Sequence, residues 1–138
     1  MKILFVCKSN VGRSQMAEVF LADLKPEHDI TSAGTHVLLE NEGVPISQLG
    51  EKVIATMDEL GFNLRDKKMN KLTPELVDAV DKVIALNDKE ELPDYLKNSP
   101  KLEVWDAMPD AAGTEATFHD RLRDKIREKV SELARKLD

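Results

Sequence analysis

The period of apolar positions changes several times along the chain, and each change marks an element. Ile3 to Val6 is a short β-branched and aromatic run that predicts a strand. From Ser14 onward Met16, Ala17, Phe20, Leu21 and Leu24 fall at helical spacing until Lys25-Pro26 ends the helix. Ile30 to Ser32 predicts a second strand closed by Ala33-Gly34, and the turn formers from there to Pro45 predict a long loop. Val53, Ile54, Met57 and Leu60 mark one face of a second helix that stops at Gly61, a residue suited to a left-handed cap. Thr73-Pro74-Glu75 combines an N-cap, a first-turn proline and a first-turn acid, opening a short helix through Leu76, Val77 and Val80. Val83 to Leu86 and Leu102 to Trp105 read as two further buried strands. Phe118, Leu122, Ile126, Val130, Leu133 and Leu137 then form a helical stripe, with Thr117 and Asp120 as its capping pair.

Strands that alternate with helices imply an α/β fold in which a parallel sheet is covered by helices on both faces. The expected architecture is one three-layer domain over residues 1–138, with a sheet of about four strands. In such folds ligands bind beyond the carboxyl ends of the strands, which is where the loop after Val6 falls.

Composition narrows the function. The 138 residues are 41% hydrophobic, enough for one core. No apolar stretch approaches the ~20 residues of a membrane span, and the apolar N-terminal run is too short for a signal peptide, so a soluble, cytoplasmic protein without a membrane partner is expected. A net charge of -6, with acids and bases alternating, argues against nucleic acid as a partner. Any anion site must therefore be local. The basic stretch Arg65, Lys67, Lys68 and Lys71 is either a steering surface for anionic substrates or solvated surface. One cysteine excludes an internal disulfide framework and a multi-cysteine zinc site. His28, His36 and His119 are scattered without ligand spacing, so no metal and no cofactor are implied.

That one cysteine opens the segment Cys7-Lys8-Ser9-Asn10-Val11-Gly12-Arg13-Ser14, which lies between the first strand and the first helix. Backbone N–H groups there can converge on one point with a helix N-terminus behind them, which suits a tetrahedral oxyanion. The same field favours a thiolate at Cys7, the form that acts as a nucleophile. Arg13 can reach back and grip two oxygens with its planar fork, as a lysine cannot. Ser14 is placed to donate a hydrogen bond to the thiolate, and Gly12 and Asn10 suit unusual backbone angles. Lys8, Ser9, Asn10, Val11, Gly12 and Ser14 are thus the candidate binding residues. The Gly-Lys-Ser/Thr ending of a nucleotide P-loop is absent. The competing reading, a cysteine that merely packs at a strand end, is outweighed by the strand, helix and Ser14 around it.

At these residues the chain resembles the low-molecular-weight protein tyrosine phosphatase family, whose members begin with a strand, a C-x5-R-S loop and a helix. Val6-Cys7, Asn10, Arg13-Ser14 and Met16-Ala17-Glu18 match its opening motif. Ser32-Ala33-Gly34-Thr35 matches its second signature, and Trp105-Asp106 through Pro109-Asp110 its late acid-bearing segment. The resemblance implies that Asp110 is the general acid, with Asp106 as the fallback. It departs from the family at Ser9, where glycine is usual, and at Gly12, where many members carry a second cysteine. It departs again at Ala111-Ala112-Gly113, where proline and tyrosines often wall the substrate pocket. Leu38 or Leu39 is the candidate for the opposite wall.

The expected function is therefore hydrolysis of a phosphorylated protein or a small phosphomonoester through a phosphocysteine on Cys7. Inorganic phosphate or another oxyanion would occupy the loop. Two alternatives stand beside it. One is arsenate reduction with an external thiol, since the resemblance extends to thioredoxin-coupled arsenate reductases, toward which Gln15-Met16-Ala17-Glu18 leans. The other is a phosphate-binding module without turnover.

Overall fold

The structure, a computed structural model, describes residues 1–105 and 118–137. Four strands form one parallel sheet in the order β2-β1-β3-β4: β1 (Lys2–Cys7), β2 (Asp29–Gly34), β3 (Lys82–Ala85) and β4 (Leu102–Val104). Helices α1 (Arg13–Leu24), α2 (Glu51–Asp58), α3 (Pro74–Asp78), α4 (Asp94–Lys97) and α5 (Phe118–Lys136) surround it. The expected α/β architecture, with a four-stranded parallel sheet and a loop after its first strand, is what the chain adopts.

The central strand explains why its sequence reads as a continuous apolar run. In β1, Ile3 and Phe5 point into one core with Ile84, Leu86, Met16, Phe20, Ile126 and Val130. Leu4 and Val6 point into a second core with Val83, Ala85, Val77 and Leu96. A strand covered on both faces has no polar side to alternate with. The α1 and α5 helices lie over the first face and α3 and α4 over the second, so the β1 carboxyl end emerges between layers where a ligand loop can open.

Local signals account for most boundaries. Thr73 accepts a hydrogen bond from the Leu76 backbone N–H at 3.2 Å, the cap its sequence implies. Gly61, at φ +85°, turns the chain after α2, and the Phe62 and Gly61 N–H groups donate to the Met57 and Asp58 carbonyls. Other expectations shift. The third helix ends at Asp78, short of Val80, and β4 is a half-exposed edge strand rather than a buried one, although Trp105 beyond it is buried. Leu24 is exposed at the end of α1. Thr117 lies outside the described residues, and Asp120 accepts from the Thr56 hydroxyl of α2. The α4 turn carries too few residues to show a period and was not expected. Among the described residues no helix is long and apolar enough to cross a membrane.

Candidate active site

The β1 strand delivers Cys7 to the carboxyl end of the sheet, level with Gly34 of β2, and α1 begins six residues later at Arg13. Between them the chain turns sharply. Asn10 takes a left-handed φ of 58°, which asparagine tolerates better than most residues. The backbone N–H groups of Lys8, Ser9, Asn10, Val11 and Gly12 donate to no acceptor among the described residues. Consecutive unspent amides in front of a helix N-terminus form a concave positive surface, and that is the physical basis of an anion cradle.

Cys7 is 1% exposed, and its sulfur lies 3.0 Å from the Ser14 hydroxyl. Arg13 is buried, and its Nη1 donates to the Leu86 carbonyl at 3.0 Å, tying the start of α1 to the end of β3. The β2 end supports the loop from the other side: the Thr35 and His36 N–H groups donate to the Cys7 and Lys8 carbonyls at 2.9 and 2.8 Å. Beyond β3, Asn87 reaches Thr35 with Nδ2 to Oγ1 at 3.4 Å, and Thr35 Oγ1 lies 2.7 Å from His36 Nδ1. Asn87 itself is 3% exposed.

Behind the loop lies a buried polar network. Asn10 Nδ2 donates to Ser14 Oγ at 2.8 Å and to Ser32 Oγ at 3.0 Å. Its Oδ1 accepts from the Asn70 backbone N–H at 2.8 Å and from Gln15 Nε2 at 3.1 Å. Ser32 donates to Glu18 Oε1 at 2.7 Å, and the other Glu18 oxygen pairs with the Lys67 ammonium. Burial lowers the Lys67 pKa from the ordinary lysine value.

Of the residues singled out from the sequence, Cys7, Lys8, Ser9, Asn10, Val11, Gly12, Arg13 and Ser14 form one continuous loop and helix start. Asp110 and Asp106 lie outside the described residues. Leu38 and Leu39 are 58% and 79% exposed. The basic stretch does not act as one surface: Arg65 is bidentate to Asp58 across 2.6 and 2.9 Å, and Lys67 turns inward to Glu18. Lys68 and Lys71 stay exposed. Asn70 and Asn87 were missed, because their partners are distant in sequence and no motif marks them, and Gln15 and Lys67 were singled out for reasons other than the contacts they make. Among the described residues no three His, Cys, Asp or Glu side chains converge as a metal site.

The model of the family described as low molecular weight phosphotyrosine protein phosphatase matches residues 2–138. A putative arsenate reductase of Halobacterium salinarum is 29% identical over 140 residues, covering 96% of this chain and 89% of that protein. A glutaredoxin arsenate reductase of Synechocystis is 28% identical over 137 residues, covering 99% of this chain and 98% of that protein. Among solved structures, Vibrio vulnificus Wzb in complex with benzylphosphonate is similar with a TM-score of 0.86 at 22% identity, covering 99% of this chain and 98% of that one. The sheet order, the loop after β1 and a match across nearly the whole sequence converge on a group of cysteine-based phosphatases and arsenate reductases. The chain belongs to the low molecular weight phosphotyrosine protein phosphatase family.

Proposed function

We propose that the protein is a phosphomonoester hydrolase of the protein tyrosine phosphatase type, with Cys7 as nucleophile, Arg13 as phosphate clamp and Asp110 as general acid. The observation that carries this reading is the Cys7 sulfur, 3.0 Å from the Ser14 hydroxyl and backed by a run of unspent loop amides. The substrate phosphoryl group sits on the N–H groups from Lys8 to Ser14, with the Arg13 fork across two of its oxygens. The Cys7 thiolate attacks phosphorus, so that a P–S bond forms as the P–O bond to the leaving group breaks. Asp110 gives its proton to the departing oxygen, a contribution of ~10²–10⁴-fold for a positioned acid. Water then attacks the phosphocysteine, Asp110 takes its proton, the P–S bond breaks, and inorganic phosphate leaves. The Ser14 hydroxyl stabilises the thiolate as leaving group.

Arsenate reduction is the second reading, favoured by the similarity to the putative arsenate reductase of Halobacterium salinarum and the glutaredoxin arsenate reductase of Synechocystis. This sequence contains one cysteine, so the electrons would have to come from an external thiol. That chemistry begins with the same attack by Cys7 on an oxyanion, and the two activities diverge after it.

Hydrolysis of para-nitrophenyl phosphate from pH 4 to 8, with a chelator present, tests the proposal on the unmodified protein, Cys7→Ser and Asp110→Ala. The expected result is turnover that vanishes with Cys7→Ser and falls with Asp110→Ala. A parallel assay supplies arsenate with glutathione and glutaredoxin. Sustained arsenite formation without phosphate ester hydrolysis would replace the first reading with the second.

A further inference from the structure

The network behind the loop has a direction that can be worked out bond by bond. A backbone N–H only donates, so the Asn70 amide makes Asn10 Oδ1 an acceptor, and Gln15 Nε2 donates to the same oxygen. Asn10 Nδ2 is therefore the atom that faces Ser14 and Ser32, and it too only donates. Both hydroxyl oxygens accept from it, which leaves each hydroxyl proton for its other neighbour. For Ser14 that neighbour is the Cys7 sulfur, and for Ser32 it is Glu18 Oε1. A carboxylate only accepts, so the far end has one allowed sense as well. Four hydrogen bonds thus run in fixed directions between Glu18 and Cys7.

The arrangement carries an electrostatic cost. Glu18 is 7% exposed, and an unbalanced buried carboxylate beside this network would oppose both a thiolate and a bound phosphate. The partner that balances it is Lys67, from the segment that also supplies the Lys68 carbonyl to Gln15 Nε2 at 3.0 Å and the Asn70 amide to Asn10. We propose that Lys67 and Glu18 are positioning residues for the reaction at Cys7. Glu18 takes the Ser32 hydroxyl proton at the far end of the network, and Lys67 cancels its charge so that the loop can hold a thiolate and an oxyanion. This rests on Cys7 being the reactive thiol, and it holds equally for ester hydrolysis and arsenate reduction.

The test follows the rate of Cys7 alkylation by iodoacetamide against pH, with and without inorganic phosphate, and needs no turnover. Lys67→Met leaves Glu18 charged and unbalanced behind the loop. The alkylation midpoint then moves up by about half to one pH unit, and the rate at acid pH falls about three- to tenfold. Glu18→Gln combined with Lys67→Met removes both charges and returns most of the shift, and Lys67→Arg keeps the unmodified midpoint. The other charged groups around the loop, Lys8 and Arg13 on it, Glu91 4.0 Å from Lys8, and His36 after β2, are the same in every variant. Thermal unfolding of each variant separates a misfolded protein from a shifted thiol, and Lys67→Gln replaces Lys67→Met where the latter does not fold. An unmoved midpoint in the folded Lys67 variant, or a double variant shifted as far as the single one, would overturn the proposal. A thiol in the unmodified protein that titrates like free cysteine and gains no protection from phosphate would remove the reactive-thiol reading, and the proposal with it.

Discussion

Gly34 passes so close beneath Asn10 that a Cβ on Gly34 would lie 2.9 Å from the Asn10 backbone nitrogen and 2.8 Å from the Lys8 carbonyl oxygen. Both obstacles are backbone atoms of the loop, and neither can swing aside as a side chain would. Gly34→Ala is therefore expected to displace the loop, with a stability loss of about 1–3 kcal/mol typical of overpacking. Activity should fall further than stability alone explains, because the amides from Lys8 to Gly12 would no longer converge. Thermal unfolding and phosphate protection of Cys7, measured on the same preparation, check this. A variant that still binds phosphate normally would show that the loop tolerates the shift.

Ser14 acts on the leaving-group side of the proposed reaction. Its hydroxyl is 3.0 Å from the sulfur, and a hydrogen bond to a charged group is typically worth about 1.5–3 kcal/mol. Ser14→Ala should slow phosphocysteine hydrolysis about tenfold or more while leaving the first P–O cleavage less affected. Rapid-mixing with para-nitrophenyl phosphate then shows a burst of nitrophenol close to one equivalent per protein, followed by a slow phase. Equal slowing of both phases would place the role of Ser14 elsewhere.

Two properties of Asn10 can be separated by substitution. Its φ of 58° is a backbone demand, and its side chain joins Ser14, Ser32, Gln15 and Asn70. Asn10→Gly meets the first demand and not the second, whereas Asn10→Ala meets neither and adds a left-handed penalty of roughly 1–2 kcal/mol. Both variants should lose activity, but Asn10→Ala should unfold at the lower temperature. Equal melting temperatures would mean that the turn relaxes out of its left-handed conformation.

The contrast between Cys7 and Lys67 shows how far the sequence could be read. Cys7 to Ser14 is one contiguous stretch between a strand and a helix, so its geometry follows from local rules, and the loop was legible together with β1, α1, β3 and the capped start of α3. Gly61 and Thr73 announced their turns because a positive φ and an N-cap favour few residue types. Lys67 read as one of four basic residues of a steering or solvated surface, since its pairing with Glu18 is distant in sequence and depends on how the segment after α2 packs against α1. Asn70 was illegible for the same reason: its backbone N–H, which any residue but proline could supply, is what holds Asn10. The α4 turn at Asp94–Lys97 is too short for a hydrophobic period. The Asp120 side chain, read from the sequence as half of a capping pair with Thr117, also ties α5 to α2.

That tie gives a pH dependence whose sign follows from its charges. The Thr56 hydroxyl donates to the Asp120 carboxylate, and with the Arg123 charge it outweighs desolvation and holds the Asp120 pKa below the usual aspartate value. A carboxyl group whose folded pKa is lowered adds stability above its unfolded pKa and loses it as pH falls through the folded value. Urea unfolding of the unmodified protein and Asp120→Asn should therefore differ most near neutral pH, and the difference should shrink once pH drops below the ordinary aspartate range. Arg123 makes the comparison sharper, since its Nη1 also donates to the Thr56 carbonyl at 2.9 Å and lies 3.7 Å from Asp120 Oδ1. Arg123→Met should reduce the same acid-dependent increment in part, while the Thr56 hydroxyl still donates to the carboxylate. A stability gap between the unmodified protein and Asp120→Asn that stays constant from neutral to acid pH would assign the contribution of Asp120 to packing rather than to its charge.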